Sequence, residues 1–151
     1  SDFIVDCLQD FWLSQQDRFE AIDKLVLNLD NGPENHSRRT QFMKRITDFV
    51  DQFQMSLQLA YYPPYHSKYN PIERVWGVLE NHWRGELLDS IEKALGLART
   101  MKWKGKNPTI EFLKGVYEKG VKLTKKAMEQ LERSFDRISG IEKWAVDIPY
   151  D

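Results

Sequence analysis

The sequence predicts an α/β protein, because two short apolar runs separated by a helical pattern are followed by segments with mostly helical patterns. The runs, Lys24–Asp30 and Ser56–Tyr62, have the length of strands and are too short for buried helices. With 151 residues the chain is long enough to bury a sizeable core.

The first half of the chain alternates helix and strand. Residues 2–16 carry apolar side chains at helical spacing. The run Lys24–Asp30 is nearly all apolar, which is typical of parallel sheets buried on both faces. A helix from about Ser37 to Phe53 then leads to the strand Ser56–Tyr62, and two strands joined by a helix are expected to run parallel. A third helix is predicted from Asn70 to about Arg84.

After Gly85 the signals are helical almost to the end. One helix is capped by Asp89 or Ser90, a second starts at Asn107-Pro108, and a third begins at Thr124 and stops at Gly140. The last two have apolar faces made by Ile110, Leu113, Val116 and Tyr117 and by Met128, Leu131, Phe135 and Ile138. Lys143–Ile148 is a short strand or an extended tail, and its length does not decide between them.

Composition narrows the class of partner and compartment. The net charge is −1 and the pI about 6.3, so any contact with nucleic acid must come from a local basic patch. Cys7 is the single cysteine, which excludes an intrachain disulfide and fits a reducing cytoplasm. No apolar run reaches the roughly 18 residues that a membrane helix needs.

One stretch joins the end of a strand to the start of a helix: Tyr61-Tyr-Pro-Pro-Tyr-His-Ser-Lys-Tyr-Asn-Pro-Ile-Glu-Arg-Val-Trp76. Its prolines end the strand, and Asn70 followed by Pro71 is a favoured helix start. Glu73 then lies in the first turn, near the carboxyl end of the preceding strand, where open α/β sheets place their chemistry. The plainer interpretation is a capping box, in which Glu73 only bonds back to Asn70.

A second acid ends the first strand. Asp30 is followed by Asn31-Gly-Pro-Glu-Asn-His-Ser37, and the plain interpretation of that sequence is a tight turn. The sequence thus has two acids near strand ends, Asp30 after the first strand and Glu73 in the helix that follows the second, and carboxylate oxygens are the ligands that hard cations prefer.

The two stretches together resemble the signatures of mariner-like DDE transposases of bacterial insertion sequences, and the downstream Trp103-Lys-Gly105 segment is similar to the ISAzo-type branch. The resemblance implies that Asp30 and Glu73 are catalytic and bind metal, Mg²⁺ or Mn²⁺. Asn31, His36 and Asn70 are expected to support these acids without binding the metal. The 43 positions between the acids exceed the spacing common in the superfamily, and the long helix Ser37–Phe53 accounts for the difference.

The resemblance also implies a fold and an organisation. It predicts a partial RNase H-like fold of the retroviral integrase superfamily that lacks its first strands, with a helical C-terminal extension. Residues 1–86 would form the partial catalytic core and residues 87–151 the extension. The family uses three acids and carries the first on an earlier strand, which this sequence lacks.

A basic segment follows the predicted core. Arg99–Lys126 contains nine basic and two acidic residues, a net charge of +7. Such a segment is either a solvated face or a surface for the DNA backbone, and Trp103 between lysines favours DNA slightly. The predicted DNA-binding residues are Lys102, Lys104, Lys106, Lys122, Lys125 and Lys126.

Three functions remain open at this point. The first is part of a transposase that cuts and joins transposon-end DNA with Mg²⁺, and the second is an RNase H-like nuclease that only cuts. The third is a non-catalytic remnant that binds DNA or protein. Because the first acid is missing, the chain is predicted to lack cleavage activity alone. Its open strand edge at Leu25–Asp30 predicts a homo-oligomer.

Overall fold

The computed structural model of the chain describes residues 1–150, which form five α-helices and a four-stranded mixed sheet. The helices are α1 (Asp2–Gln15), α2 (Thr40–Phe53), α3 (Ile72–Trp83), α4 (Ile91–Thr100) and α5 (Lys125–Leu131). The strands are β1 (Lys24–Leu29), β2 (Ser56–Tyr61), β3 (Asp136–Arg137) and β4 (Ala145–Ile148). Short 3₁₀ turns lie at Gln16–Phe19, Ser67–Tyr69 and Glu132–Ser134. The α/β class and the order of the first five elements are confirmed.

The sheet has the strand order β1-β2-β4-β3. β1 and β2 run parallel, with Lys24 opposite Ser56 and Leu29 opposite Tyr61, as the helical connection predicted. β4 lies antiparallel to β2, so the end of the chain forms a strand and not an extended tail. Within the described residues β1 is an edge strand.

The core lies between one face of this sheet and helices α1 and α2. Helix α2 contributes Phe42, Met43, Ile46, Phe49 and Val50, all buried, and α1 contributes Val5 and Trp12. On the sheet side, alternate residues of β2 and β4 point inward: Leu57, Leu59, Tyr61, Val146 and Ile148. Helix α2 ends at Phe53, and the left-handed backbone of the next residue, Gln54 (φ 51°), lets the N–H of Met55 donate to the carbonyl of Val50 at 3.2 Å.

The prediction that β1 is buried on both faces is wrong. Its exposure alternates, with Leu25, Leu27 and Leu29 turned toward the core and Val26 left 49% exposed. The polar Lys24 and Asn28 share the outward face with Val26. The sequence therefore has the period of a strand with one buried face.

Two helix predictions in the second half also need correction. Residues 108–123 form no helix, although one was predicted to start at Asn107-Pro108. Val116, assigned to its inner face, is fully exposed. Gly115 and Gly120 lie within this segment, and each glycine disfavours a helix by about 1 kcal/mol.

The helix predicted to run from Thr124 to Gly140 is shorter. It starts as expected, because the Thr124 hydroxyl accepts the N–H of Ala127 at 3.2 Å, but it ends at Leu131. Phe135 has an extended backbone and a buried side chain, and Asp136 and Arg137 pair with β4. Pairing with β4 thus prevails over the helical pattern.

The chain divides into two compact units. The first contains residues 1–67 and the chain from Tyr117 onward, with α1, α2, α5 and the sheet; the second contains Lys68–Val116, with α3 and α4. In the second unit Ala98 and Met101 are buried, and His82 bonds Thr100 at 2.9 Å. The predicted division after residue 86 stays a prediction. In residues 1–150 no helix is both long and apolar enough to span a membrane.

Candidate active site

Asp30 follows the last residue of β1, and its carboxylate is held from one side. The N–H of Gly32 donates to Asp30 Oδ1 at 3.1 Å, and the amide of Asn35 donates to the same oxygen at 2.8 Å. The other oxygen, Oδ2, receives no hydrogen bond within the described residues. The loop thus fixes the orientation of the carboxylate and leaves one oxygen available for a ligand.

The loop is in turn fixed to the core by Tyr61. This residue ends β2 beside Leu29 of β1, and its hydroxyl donates to the backbone carbonyl of Asn35 at 2.7 Å. Tyr61 is buried, and this burial raises the pKa of its phenol well above the usual value. The phenol therefore stays protonated and remains a donor over the physiological range.

Gly32 allows the loop to close around the carboxylate. A Cβ on this residue would lie 3.3 Å from Asp30 Oδ1 and 3.5 Å from both Asp30 Oδ2 and Asn35 Oδ1. Asn35 Oδ1 is buried and has no hydrogen-bond donor in the described residues. Two oxygens that can act only as acceptors therefore flank the small space over Gly32, and this donor set fits a hard cation.

Glu73 lies in the first turn of α3, in the second unit. Its N–H donates to the carbonyl of Asn70 at 3.0 Å, while the N–H of Ile72 donates to the Asn70 side chain at 3.3 Å. Asn70 therefore caps the helix. The Glu73 carboxylate is exposed and forms no hydrogen bond or ion pair in residues 1–150, so it does not complete a capping box. Its approach to Asp30 stays a prediction.

The other predicted site residues lie in these same loops. Asn31 adopts a left-handed backbone (φ 62°), which asparagine tolerates better than most residues. The Nδ1 of His36 accepts the N–H of Arg38 at 3.2 Å. Of the described residues, no three His, Cys, Asp or Glu side chains lie close enough together to hold a metal ion.

The six lysines predicted to bind DNA are all exposed, and the structure brings three of them together. Lys102, Lys104 and Lys106 lie in or beside a tight hairpin of the second unit, closed by two bonds between Trp103 and Lys106 of 2.8 and 3.0 Å. Lys104 and Gly105 both have positive φ, as a two-residue hairpin turn requires. Lys122, Lys125 and Lys126 belong to the first unit.

The model of the Rhodopirellula transposase DDE domain family matches residues 1–149 of the chain. The chain belongs to this family. No curated protein and no solved structure is significantly similar to it. The family assignment confirms a DDE transposase domain and implies that it acts on DNA with a divalent metal.

Two residues that shape the Asp30 loop of this transposase domain were not predicted. Asn35 and Tyr61 both lie in the stretches quoted for the resemblance, but neither was assigned a role in the site. The bond between them joins residues 26 positions apart, so no local pattern reveals it. A buried tyrosine at a strand end is the one available signal, because its hydroxyl needs a partner.

Proposed function

We propose that the chain forms part of the active site of a transposase that cuts and joins DNA at transposon ends, on an RNase H-like fold of the mariner-like, ISAzo-type branch. The observation that carries the proposal is the carboxylate of Asp30, which follows a parallel strand with one oxygen held by two donors and the other free. The free oxygen is the one that a metal ion could bind.

Asp30 and Glu73 are the proposed metal ligands. A bound pair of Mg²⁺ or Mn²⁺ ions would activate the attacking water or 3′ hydroxyl and neutralise charge on the phosphate. The chain's own contribution is orientation. Gly32 and Asn35 hold Asp30 Oδ1, so the carboxylate is already oriented before an ion binds. Asn35 Oδ1 is available to a water on the ion.

Paramagnetic broadening by Mn²⁺ tests this proposal on the 151-residue chain. Mn²⁺ should broaden the amide signals of Gly32 and Asn35 and also those around Glu73. If one metal site uses both acids, Asp30→Asn should abolish broadening around Glu73, and Glu73→Gln should abolish it around Gly32. Glu73→Gln should leave stability within about 0.5 kcal/mol, because the carboxylate is exposed and has no partner.

Asp17→Asn, a change of the same charge at an exposed position, serves as the control. Unchanged broadening in both active-site variants would refute the shared site. It would instead favour the alternative of a DNA-binding or protein-interaction remnant without catalysis, which the absence of a three-ligand cluster in residues 1–150 keeps open.

The first acid of the family is proposed to come from a strand outside this sequence. The chain alone should therefore not nick or join transposon-end DNA in Mg²⁺, and it should gain activity when the strand that carries that acid is supplied. Cleavage by the chain alone that Glu73→Gln abolishes would show that two acids suffice. Cleavage without joining in the complete protein would instead indicate a nuclease.

A further inference from the structure

A cavity of about 280 Å³ opens beside the loop that carries Asp30. Apart from Pro33 its lining is basic and polar, and none of the lining residues among 1–150 is acidic: Asn31, Pro33, His36, Ser37, Arg38 and Lys143. Arg38 and Lys143 are exposed, and in residues 1–150 neither forms an ion pair. Asn31, directly after Asp30, connects the cavity to the proposed active site.

The cavity is built from two segments that are far apart in the sequence. The hydroxyl of Ser37, which is buried, donates to the carbonyl of Lys143 at 3.3 Å. Arg137 bridges the same segments, because its guanidinium donates to the carbonyl of Ser37 at 2.9 Å and to that of Glu142 at 3.1 Å. Glu132 holds Arg137 with bonds of 2.6 and 2.9 Å. These bonds therefore keep Arg38 and Lys143 in the lining of the same cavity.

His36 contributes a further donor. Its Nδ1 accepts the N–H of Arg38, so the neutral ring carries its proton on Nε2, which is free to donate to a ligand. Apart from Asp30, the proposed metal ligand, the acidic groups nearby are already engaged. Glu142 accepts the N–H of Gly140 at 2.9 Å, and Glu34 accepts from the hydroxyl of Ser1 at 3.2 Å and from the guanidinium of Arg39 at 3.5 Å. The available groups at the cavity are therefore donors and cations.

We propose that this cavity binds one phosphate of the DNA backbone, held by Arg38 and Lys143, next to the strand end that carries Asp30. A guanidinium fork and an ammonium group match the oxygens of a phosphodiester. The proposal deepens the transposase function, on which it rests, by assigning the residues that position the DNA beside the catalytic acid. It adds Arg38 and Lys143, outside the predicted lysine set, to the DNA-binding surface.

Binding of a labelled DNA duplex to the 151-residue chain, measured by fluorescence anisotropy in EDTA over a range of salt, tests the proposal. The double change Arg38→Gln with Lys143→Gln abolishes the binding of one phosphate. The slope of log K against log salt should fall by about 0.9, which at 0.1 M salt corresponds to roughly eightfold weaker binding.

Arg18→Gln, which removes one exposed positive charge away from the cavity, is the control. Ser1, at the start of α1, contacts the Asp30 loop through Glu34, and Arg18 lies beyond the other end of this helix, which is about 21 Å long. Within residues 1–150, Arg18 bonds only Gln15, at 2.8 Å. The proposal would be overturned if the double variant bound the duplex with the same affinity and the same salt slope as this control.

Two further measurements make the result decisive. If the double variant is misfolded, NMR of the unmodified chain replaces it, and the duplex should shift the amides of Arg38 and Lys143 but not Arg18. Absence of those shifts overturns the proposal. If millimolar inorganic phosphate shifts these amides and the duplex does not, the cavity is a site for free phosphate. That result would also overturn the proposal. Because EDTA removes metal ions, this DNA-binding test does not depend on the proposed metal site, and the two proposals can fail independently.

Discussion

Replacing Tyr61 with phenylalanine removes the hydroxyl that fixes the Asp30 loop to the core. That hydroxyl donates to the carbonyl of Asn35 at 2.7 Å, and Tyr61 is only 6% exposed. The change leaves a partly buried carbonyl without its donor, so we expect the free energy of unfolding to fall by about 1.5 kcal/mol. For a chain of this length that corresponds to a melting temperature lower by roughly 3–6 °C.

Alkaline pH should reduce the difference in unfolding free energy between the original chain and the Tyr61→Phe variant. Burial raises the pKa of the Tyr61 phenol, so above pH 10 the unfolded chain loses this proton while the folded chain keeps it. The unfolded state then binds fewer protons, and the stability that depends on this phenol falls by about 1.4 kcal/mol per pH unit. The Tyr61→Phe variant does not have this pH dependence. Tyr117, whose pKa is also raised, is present in both proteins and cancels in the difference.

Urea unfolding followed by circular dichroism at neutral pH and above pH 10 measures both effects. Tyr62→Phe is the control, because Tyr62 is the adjacent half-buried tyrosine and its hydroxyl has no partner in residues 1–150. Equal stability of the Tyr61→Phe and Tyr62→Phe variants at neutral pH would refute the role assigned to the Tyr61 hydroxyl. A stability difference from the original chain that stays constant above pH 10 would refute the pH argument.

Three further predictions follow from the loop, the basic hairpin and the sheet edge. Gly32→Ala should weaken Mn²⁺ binding seen by NMR, because its Cβ would lie 3.3 Å from Asp30 Oδ1; unchanged affinity would contradict the close packing of this loop. Charge reversal in the hairpin should weaken duplex binding whatever the sequence, and lower the salt slope by about 0.9 for each phosphate that is no longer bound; an unchanged slope would indicate a solvated face. The lysines to change are Lys102, Lys104 and Lys106. The chain should sediment as a dimer that pairs through the free edge of β1. Val26→Lys should weaken the dimer more than the control Val121→Lys, since Val26 is 49% exposed on the outward face of this edge strand; a monomer would disprove self-association.

Local sequence patterns predicted the elements around the first strand but not its surroundings. Asp30 was expected at the end of a parallel strand, and it lies there because Leu25, Leu27 and Leu29 pack on the core while the following turn residues cannot continue the strand. The outward face was misjudged because Lys24 and Asn28 were given less weight than the apolar residues between them. The alternation of polar and apolar residues, and not the number of apolar residues in the run, shows that only one face of the strand is buried.

The second half was harder to predict because its structure depends on distant contacts. Arg137 lies within the helix predicted from Thr124 to Gly140, yet it pairs with Val146 of β4 and bonds Ser37, 100 positions earlier. Such contacts override a helical period that extends only a few turns. The same distance in sequence hides the proposed phosphate-binding cavity, because Lys143 lines it together with Arg38 only after the chain has folded.

The asymmetry of the Asp30 carboxylate determines which substitution can test its chemistry. Asparagine at this position keeps an oxygen that can accept the N–H of Gly32 and the amide of Asn35, so the loop retains its two bonds. Its nitrogen then replaces the free oxygen and cannot bind Mg²⁺. Alanine would remove both the structural and the chemical oxygen, so a loss of metal binding could arise from a disordered loop. Asp30→Asn therefore separates the two roles of this carboxylate, and a folded variant that has lost only metal binding locates the chemistry on the oxygen that the loop leaves free.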